Sequence, residues 1–139
     1  SLLEPTKKMS KSLGQGHVVE LADEPETIET KLKKAVTATE GGAGAPGVQN
    51  LLLLLKEFGD AKLHVKFVDD EKNGTIRYGD LKTALADAIS KTFADFRKKR
   101  AEYLADEKKL QKVLKAGADN AQKVADKTMT EVRKLVGIK

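Results

Sequence analysis

A chain of 139 residues, 40% of them hydrophobic and 34% charged, can bury one core of ordinary size with an appendage, and is too short for two full domains. It has no cysteine and only two histidines, His17 and His64; this excludes a disulfide framework, a thiolate metal site and a histidine-rich centre, and fits a reducing, cytoplasmic setting. The net charge of +5 is uneven: residues 97–139 hold 13 Lys/Arg against 6 Asp/Glu, while residues 1–96 hold 13 against 15, so the last third carries the electrostatic footprint of a nucleic-acid partner.

Aromatic residues make up only 4% of the chain, so stacking platforms for single-stranded bases are scarce. No run approaches the roughly 18 apolar residues that cross a bilayer, and no membrane role is expected. The opening Ser1-Leu2-Leu3-Glu4-Pro5 has no charged segment followed by an apolar one, and reads as the middle of a larger protein.

In chain order, the first informative stretch is Lys8-Met9-Ser10-Lys11-Ser12. Two ammonium groups and two hydroxyls fall within five residues, and Gly14 and Gly16 follow. Positive charge on a backbone able to change conformation suits a loop that holds a polyphosphate. Alone, such a pentapeptide reads equally well as a solvated basic surface loop. His17-Val18-Val19-Glu20-Leu21 is β-prone and leads out of the loop in extended form.

Asp23-Glu24-Pro25-Glu26 predicts a helix start, with Asp23 as N-cap, Pro25 in the first turn and Glu26 as reciprocal partner. Ile28, Leu32, Ala35 and Val36 recur at helical spacing, and that helix should end by Thr39. Four glycines in Glu40–Gly47 leave little side chain to bury, which reads as a hinge-like linker. The run Leu51 to Leu55 makes a helix over Val48–Phe58 apolar on every side, hence central to the core. Gly59 ends it and Asp60 caps a short helix over Ala61–Lys72, stopped by Asn73-Gly74. After a turn at Thr75–Asp80, one long helix carries Leu81, Ala84, Leu85, Ala88, Ile89, Phe93 and Phe96 on one stripe and ends in Arg97-Lys98-Lys99-Arg100 and Tyr103-Leu104.

The final helix, Glu107–Val136, is the most periodic segment. Leu110, Val113, Leu114, Ala118, Ala121, Val124, Ala125, Met129, Val132, Leu135 and Val136 share an arc of under half the circumference, predicted to face the core. Lys112, Lys115 and Lys123 lie on a basic rail opposite. The expected fold is all-α: a bundle of about four or five helices behind an N-terminal extended loop.

The run Glu4-Pro5-Thr6-Lys7-Lys8-Met9-Ser10-Lys11-Ser12 resembles the second signature loop of the class I aminoacyl-tRNA synthetases, with every position of the motif intact. Pro46-Gly47-Val48-Gln49-Asn50-Leu51-Leu52, Tyr78-Gly79-Asp80-Leu81-Lys82 and the pattern from Lys115-Ala116-Gly117-Ala118 to Val136-Gly137 resemble the tryptophan-specific branch of that family; the tyrosine branch shares the loop but continues into a different C-terminal module. The resemblance covers nearly the whole chain. It implies residues 1–22 as the signature loop and the exit from a catalytic domain, and residues 23–139 as an α-helical anticodon-binding domain. The nucleotide-binding α/β fold, the other signature (His-Ile-Gly-His type) and the amino-acid pocket would precede Ser1, so this piece alone should be inactive.

The implied reaction is activation of tryptophan with ATP and transfer to tryptophan tRNA. Charge grows on the departing pyrophosphate, and a lysine that approaches it in the transition state lowers the barrier. The resemblance assigns that role to Lys8 and above all Lys11, places Lys8, Met9, Ser10, Lys11 and Ser12 around ATP, and implies magnesium held by the ATP phosphates. Met9 packs rather than contacts phosphate. Arg97, Arg100, Lys112, Lys115 and Lys123 are candidates for tRNA contact, and a homodimer through the catalytic domain is implied.

Two rival readings stand beside this one: a stand-alone basic helical module for RNA or DNA, with the loop incidental, and a structural helical scaffold. His17 reads as structural and His64 as a surface residue. Asp69-Asp70-Glu71 reads as a solvated or capping cluster, because three consecutive helical residues point in different directions. No metal ligand set is expected.

Overall fold

The computed structural model describes residues 1–37 and 44–138. Regular structure among them is helical throughout: a short 3₁₀ turn (Lys11–Leu13), then α1 (Pro25–Lys34), α2 (Pro46–Phe58), α3 (Ala61–Lys72), α4 (Tyr78–Thr92), α5 (Ala94–Ala105) and α6 (Glu107–Val136). The all-α expectation holds. The sixth helix arises because the predicted long helix breaks at Phe93. Its ring turns inward to pack on Phe58, centroids 5.7 Å apart, and the Thr92 hydroxyl bonds back to the Ala88 carbonyl at 2.9 Å, a pairing that bends helices.

The chain divides into two compact units, Ser1–Arg97 and Lys98–Lys139. In the first, α4 packs along α1 and α2, and α3 lies on α2. Ile28 and Leu32, Val48, Leu51, Leu52 and Leu55, Phe67, and Leu81, Leu85 and Ile89 form its core. The leucine run is central, as its composition demanded, but not buried all round, since Leu53 is 58% exposed.

Residues at the ends of α1 correct two sequence-based expectations. Asp23 does not cap: Glu24 is the N-cap residue and makes no side-chain cap bond, while the Asp23 carboxylate turns to Glu20 and Lys31. The helix ends at Lys34, within the expected limit of Thr39, but Ala35 and Val36, expected on its apolar face, lie beyond it, because the chain leaves α1 there to bond elsewhere. The Val36 amide donates to the Leu2 carbonyl at 2.9 Å. Of the supposed linker, residues 40–43 lie outside the described residues, whereas Pro46 and Gly47 already belong to the first turn of α2. Gly47 is buried where the backbones meet: a Cβ there would lie 2.3 Å from the Thr37 carbonyl oxygen and 2.4 Å from that of Val36.

The boundaries of α3 are those predicted, with the Asp60 carboxylate accepting from the Lys62 amide at 2.7 Å and Gly74 in the left-handed region at φ +68°. The acidic cluster is not simply solvated: Glu71 is buried and accepts the Gly44 amide at 3.0 Å. Lys82 of α4 reaches across to the carbonyl of Lys33, the penultimate residue of α1, at 3.0 Å. Burial lowers the pKa of that ammonium.

In the second unit α6 runs as predicted, with the Asp106 carboxylate accepting the Lys109 amide at 2.9 Å and Gly137 left-handed at the C-terminal cap. Its apolar arc is not core. No residue of α6 is buried, and Leu114, Val124 and Leu135 are 62%, 68% and 86% exposed. The periodicity is real, but none of the described residues covers this arc.

Candidate functional site

The loop is held at its base and open at its tip. Leu2 is fully buried; its amide donates to the His17 carbonyl at 3.1 Å and its carbonyl takes the Val36 amide. His17 is structural, its Nδ1 3.0 Å from the Ser1 hydroxyl. Met9 is half-buried against the core, as its apolar side chain requires, and this fixes the near arm of the loop.

Beyond Met9, Ser10 is extended and caps the 3₁₀ turn: its Oγ accepts the Ser12 amide at 3.4 Å and lies 2.8 Å from the Ser12 Oγ. Gly14 follows at φ +101°, and its amide returns to the Lys11 carbonyl at 3.1 Å. The turn therefore projects Lys11 and both hydroxyls outward. Lys8 is exposed and forms no ion pair among the described residues. Lys7 is engaged by Glu4 at 2.5 Å, and that bond holds the Glu4 carboxyl below its ordinary pKa.

Lys11 is not idle. Its Nζ donates to Glu20 Oε2 at 2.8 Å, with the side chains 73% and 41% exposed. Glu20 is in turn placed by Asp23, whose Oδ2 accepts the Glu20 amide at 2.8 Å and the Lys31 Nζ at 2.6 Å. This second pair is largely buried, at 13% and 18% side-chain exposure. Lys11, Glu20, Asp23 and Lys31 line one cavity of about 940 Å³ between the loop and α1, which Thr27, Thr30 and Lys34 also border. The sequence carries no signal for Glu20, because a partner nine residues away across a turn has no periodic signature.

Chemically, the tip offers two outward ammonium groups, one of them lightly held, and two hydroxyls bonded only to each other and to the turn. Such a set suits phosphate oxygens. The ammonium groups repel a divalent cation and the tip carries no carboxylate to hold one, and no cluster of three or more metal-ligating side chains occurs among the described residues.

The five basic candidates for a polymer partner fall into different settings. Arg97 is folded inward: its Nη2 donates to the Ser90 carbonyl at 2.7 Å, its Nε is 3.9 Å from Glu24, and its side chain is only 13% exposed. Arg100, Lys112, Lys115 and Lys123 belong to the second unit and are exposed; Lys115 pairs with Asp119 at 3.2 Å, one turn along α6. No described helix is long and apolar enough to cross a membrane.

Comparison with known proteins adds to this geometry. The family model described as tRNA synthetases class I (W and Y) matches residues 1–94. The chain is 36% identical over 143 residues to the tryptophan–tRNA ligase of Porphyromonas gingivalis, an alignment covering 99% of this chain and 42% of that protein. It is 35% identical over 144 residues to the enzyme of the same name from Bacillus anthracis, covering 99% and 43%, and 37% identical over 145 residues to that of Oceanobacillus iheyensis, again 99% and 43%. The chain thus spans about two fifths of the length of the relatives it matches.

Proposed function

The chain belongs to the class I tRNA synthetases (W and Y), and from that premise we propose that it is the part of a tryptophan–tRNA ligase that supplies the ATP-handling loop and the tRNA-binding helical region. The observation that carries the reading is the outward display of Lys8, Ser10, Lys11 and Ser12 on a capped turn whose base is fixed in the core. In this proposal the protein joins ATP and tryptophan as tryptophanyl-adenylate and passes the tryptophan to its tRNA. As the carboxylate attacks the α-phosphate, the leaving pyrophosphate gains charge, and Lys8 and Lys11 meet that charge in the transition state. Ser10 and Ser12 give up their mutual bond to donate to phosphate oxygens. Magnesium travels with the ATP phosphates, a division of labour that the donor types of the loop support.

The tryptophan assignment rests on relatives that align along 99% of the chain, well beyond the loop that the W and Y enzymes share. Residues 1–22 then serve as loop and exit from a catalytic domain, and residues 23–139 as the anticodon-binding region. The working enzyme is a cytoplasmic homodimer joined through its catalytic part. The direct test is ATP–pyrophosphate exchange driven by each amino acid in turn, run on the full-length protein. Tryptophan alone should drive exchange; exchange driven by tyrosine, or by no amino acid, overturns the proposal.

The basic rail of α6 gives a second expected outcome. Replacing Lys112, Lys115 and Lys123 together by glutamine should weaken tRNA binding and flatten its salt dependence, by roughly 0.7 to 0.9 in log–log slope for each phosphate no longer neutralised. Binding isotherms at two salt concentrations check this. An unchanged slope would make the rail a solvated surface and shift the tRNA-facing role to Arg100. Arg97 is a poor probe, since its guanidinium is committed to Ser90 and Glu24.

A further inference from the structure

We propose that Glu20 is the positioning residue of Lys11: its carboxylate clasps the ammonium in the resting loop and hands it to the ATP phosphates. The inference rests on the role given to Lys11 above. Its structural basis is independent of that role, because each link in the chain of contacts differs in strength and burial.

The lower link is firm. Asp23 and Lys31 meet at 2.6 Å with side chains 13% and 18% exposed, and the same Asp23 oxygen takes the Glu20 amide at 2.8 Å. Pairs so placed are little screened, and breaking one strands a desolvated charge. The backbone at Glu20 is therefore fixed relative to α1, and with it the start of the carboxylate that faces the cavity. The upper link is soft. Lys11 and Glu20 meet at 2.8 Å but remain 73% and 41% exposed, and exposed pairs contribute little and weaken with salt. A triphosphate carries several charges where Glu20 carries one, so it outcompetes the carboxylate for the ammonium. The result is a lysine parked at a defined point on the cavity wall and released when polyphosphate arrives. Residues Lys7 and Lys8 have no such partner from α1 or the turn before it; Lys7 is held by Glu4 within the loop itself.

The test compares the native chain with Glu20→Gln, which keeps the shape of the side chain and removes its charge. Acylation of individual lysines by an amine-reactive reagent, read by mass spectrometry at low salt, should be about two- to fivefold faster at Lys11 in Glu20→Gln, with Lys8 unchanged as internal reference and the difference vanishing at high salt. Glu20→Asp should restore part of the protection. In the full-length ligase, Glu20→Gln should lower the KM for ATP by a similar factor and leave kcat for activation unchanged. Equal Lys11 reactivity in the two chains overturns the proposal, and so does a fall in kcat with KM unchanged, which would make Glu20 a structural support. A protected Lys11 whose removal leaves activation intact would instead uphold the clasp and sink the role of Lys11 in activation, so the two failures are distinguishable.

Discussion

Under the proposed function, Lys11→Ala in the full-length protein is expected to slow tryptophan activation by about a hundredfold or more, close to 3 kcal/mol of transition-state stabilisation. The magnitude follows from what the ammonium does at each stage. In the resting protein it makes one exposed pair with Glu20, worth little to the fold, so the variant should keep its stability. In the proposed reaction it would face, in the ground-state complex, ATP phosphates whose charge magnesium offsets in part. Only as the bond to pyrophosphate breaks does new charge appear beside it, so the loss should fall on kcat and much less on the affinity for tryptophan. Single-turnover measurement of adenylate formation checks the rate, and a thermal melt checks the fold. A rate within twofold of the native enzyme would make the loop a solvated surface and leave the motif without a function here.

Gly47→Ala is expected to destabilise the chain by about 3 kcal/mol or more. A Cβ at that position would stand 2.3 Å from one carbonyl oxygen and 2.4 Å from another. Neither is the end of a flexible side chain; both belong to the backbone leaving α1. Relief requires the first turn of α2 to move away, and with it Val48 and Leu51, both fully buried. Overpacking a well-filled core costs about 1–3 kcal/mol when side chains can adjust, and backbone against backbone leaves less room to adjust. Urea denaturation of the two chains measures the difference. Gly79→Ala is the control: Gly79 sits in the first turn of α4 with open space around it, so alanine should be neutral or add up to about 1 kcal/mol. Equal midpoints for Gly47→Ala and the native chain would contradict the close approach.

These two positions differ in how the sequence announces them. Lys11 stands out as a candidate because charge, hydroxyls and glycines cluster within a few residues, a pattern visible without the fold, and its role comes from the family resemblance of that run. Gly47 reads as part of a loose linker, since four glycines in eight residues look the same whether they free the chain or let two backbones touch. Helix ends set by short-range bonds are predictable, as at Asp60 and Asp106. Asp23 is not, because a carboxylate beside a helix start serves equally well as a cap or as a brace for the preceding turn, and Lys31, eight residues on, decides the matter. The break at Phe93 depends on Phe58, a residue of another helix. The arc of α6 shows the converse: periodicity reveals a face that wants covering, not whether anything among its neighbours covers it.

The bond between the Leu2 amide and the His17 carbonyl has a mechanical meaning for the loop. It closes residues 2–17 into a ring held at its base, from which Lys11 projects. Lys11 is nine residues from one fixed end and six from the other, and the shorter arm sets its leash. Six residues span at most about 20 Å fully stretched, and far less along any trajectory that keeps Met9 seated. The working radius of Lys11 is thus set by where the ring is pinned, and a longer insertion between Ser12 and His17 would widen that radius without touching a single residue of the motif.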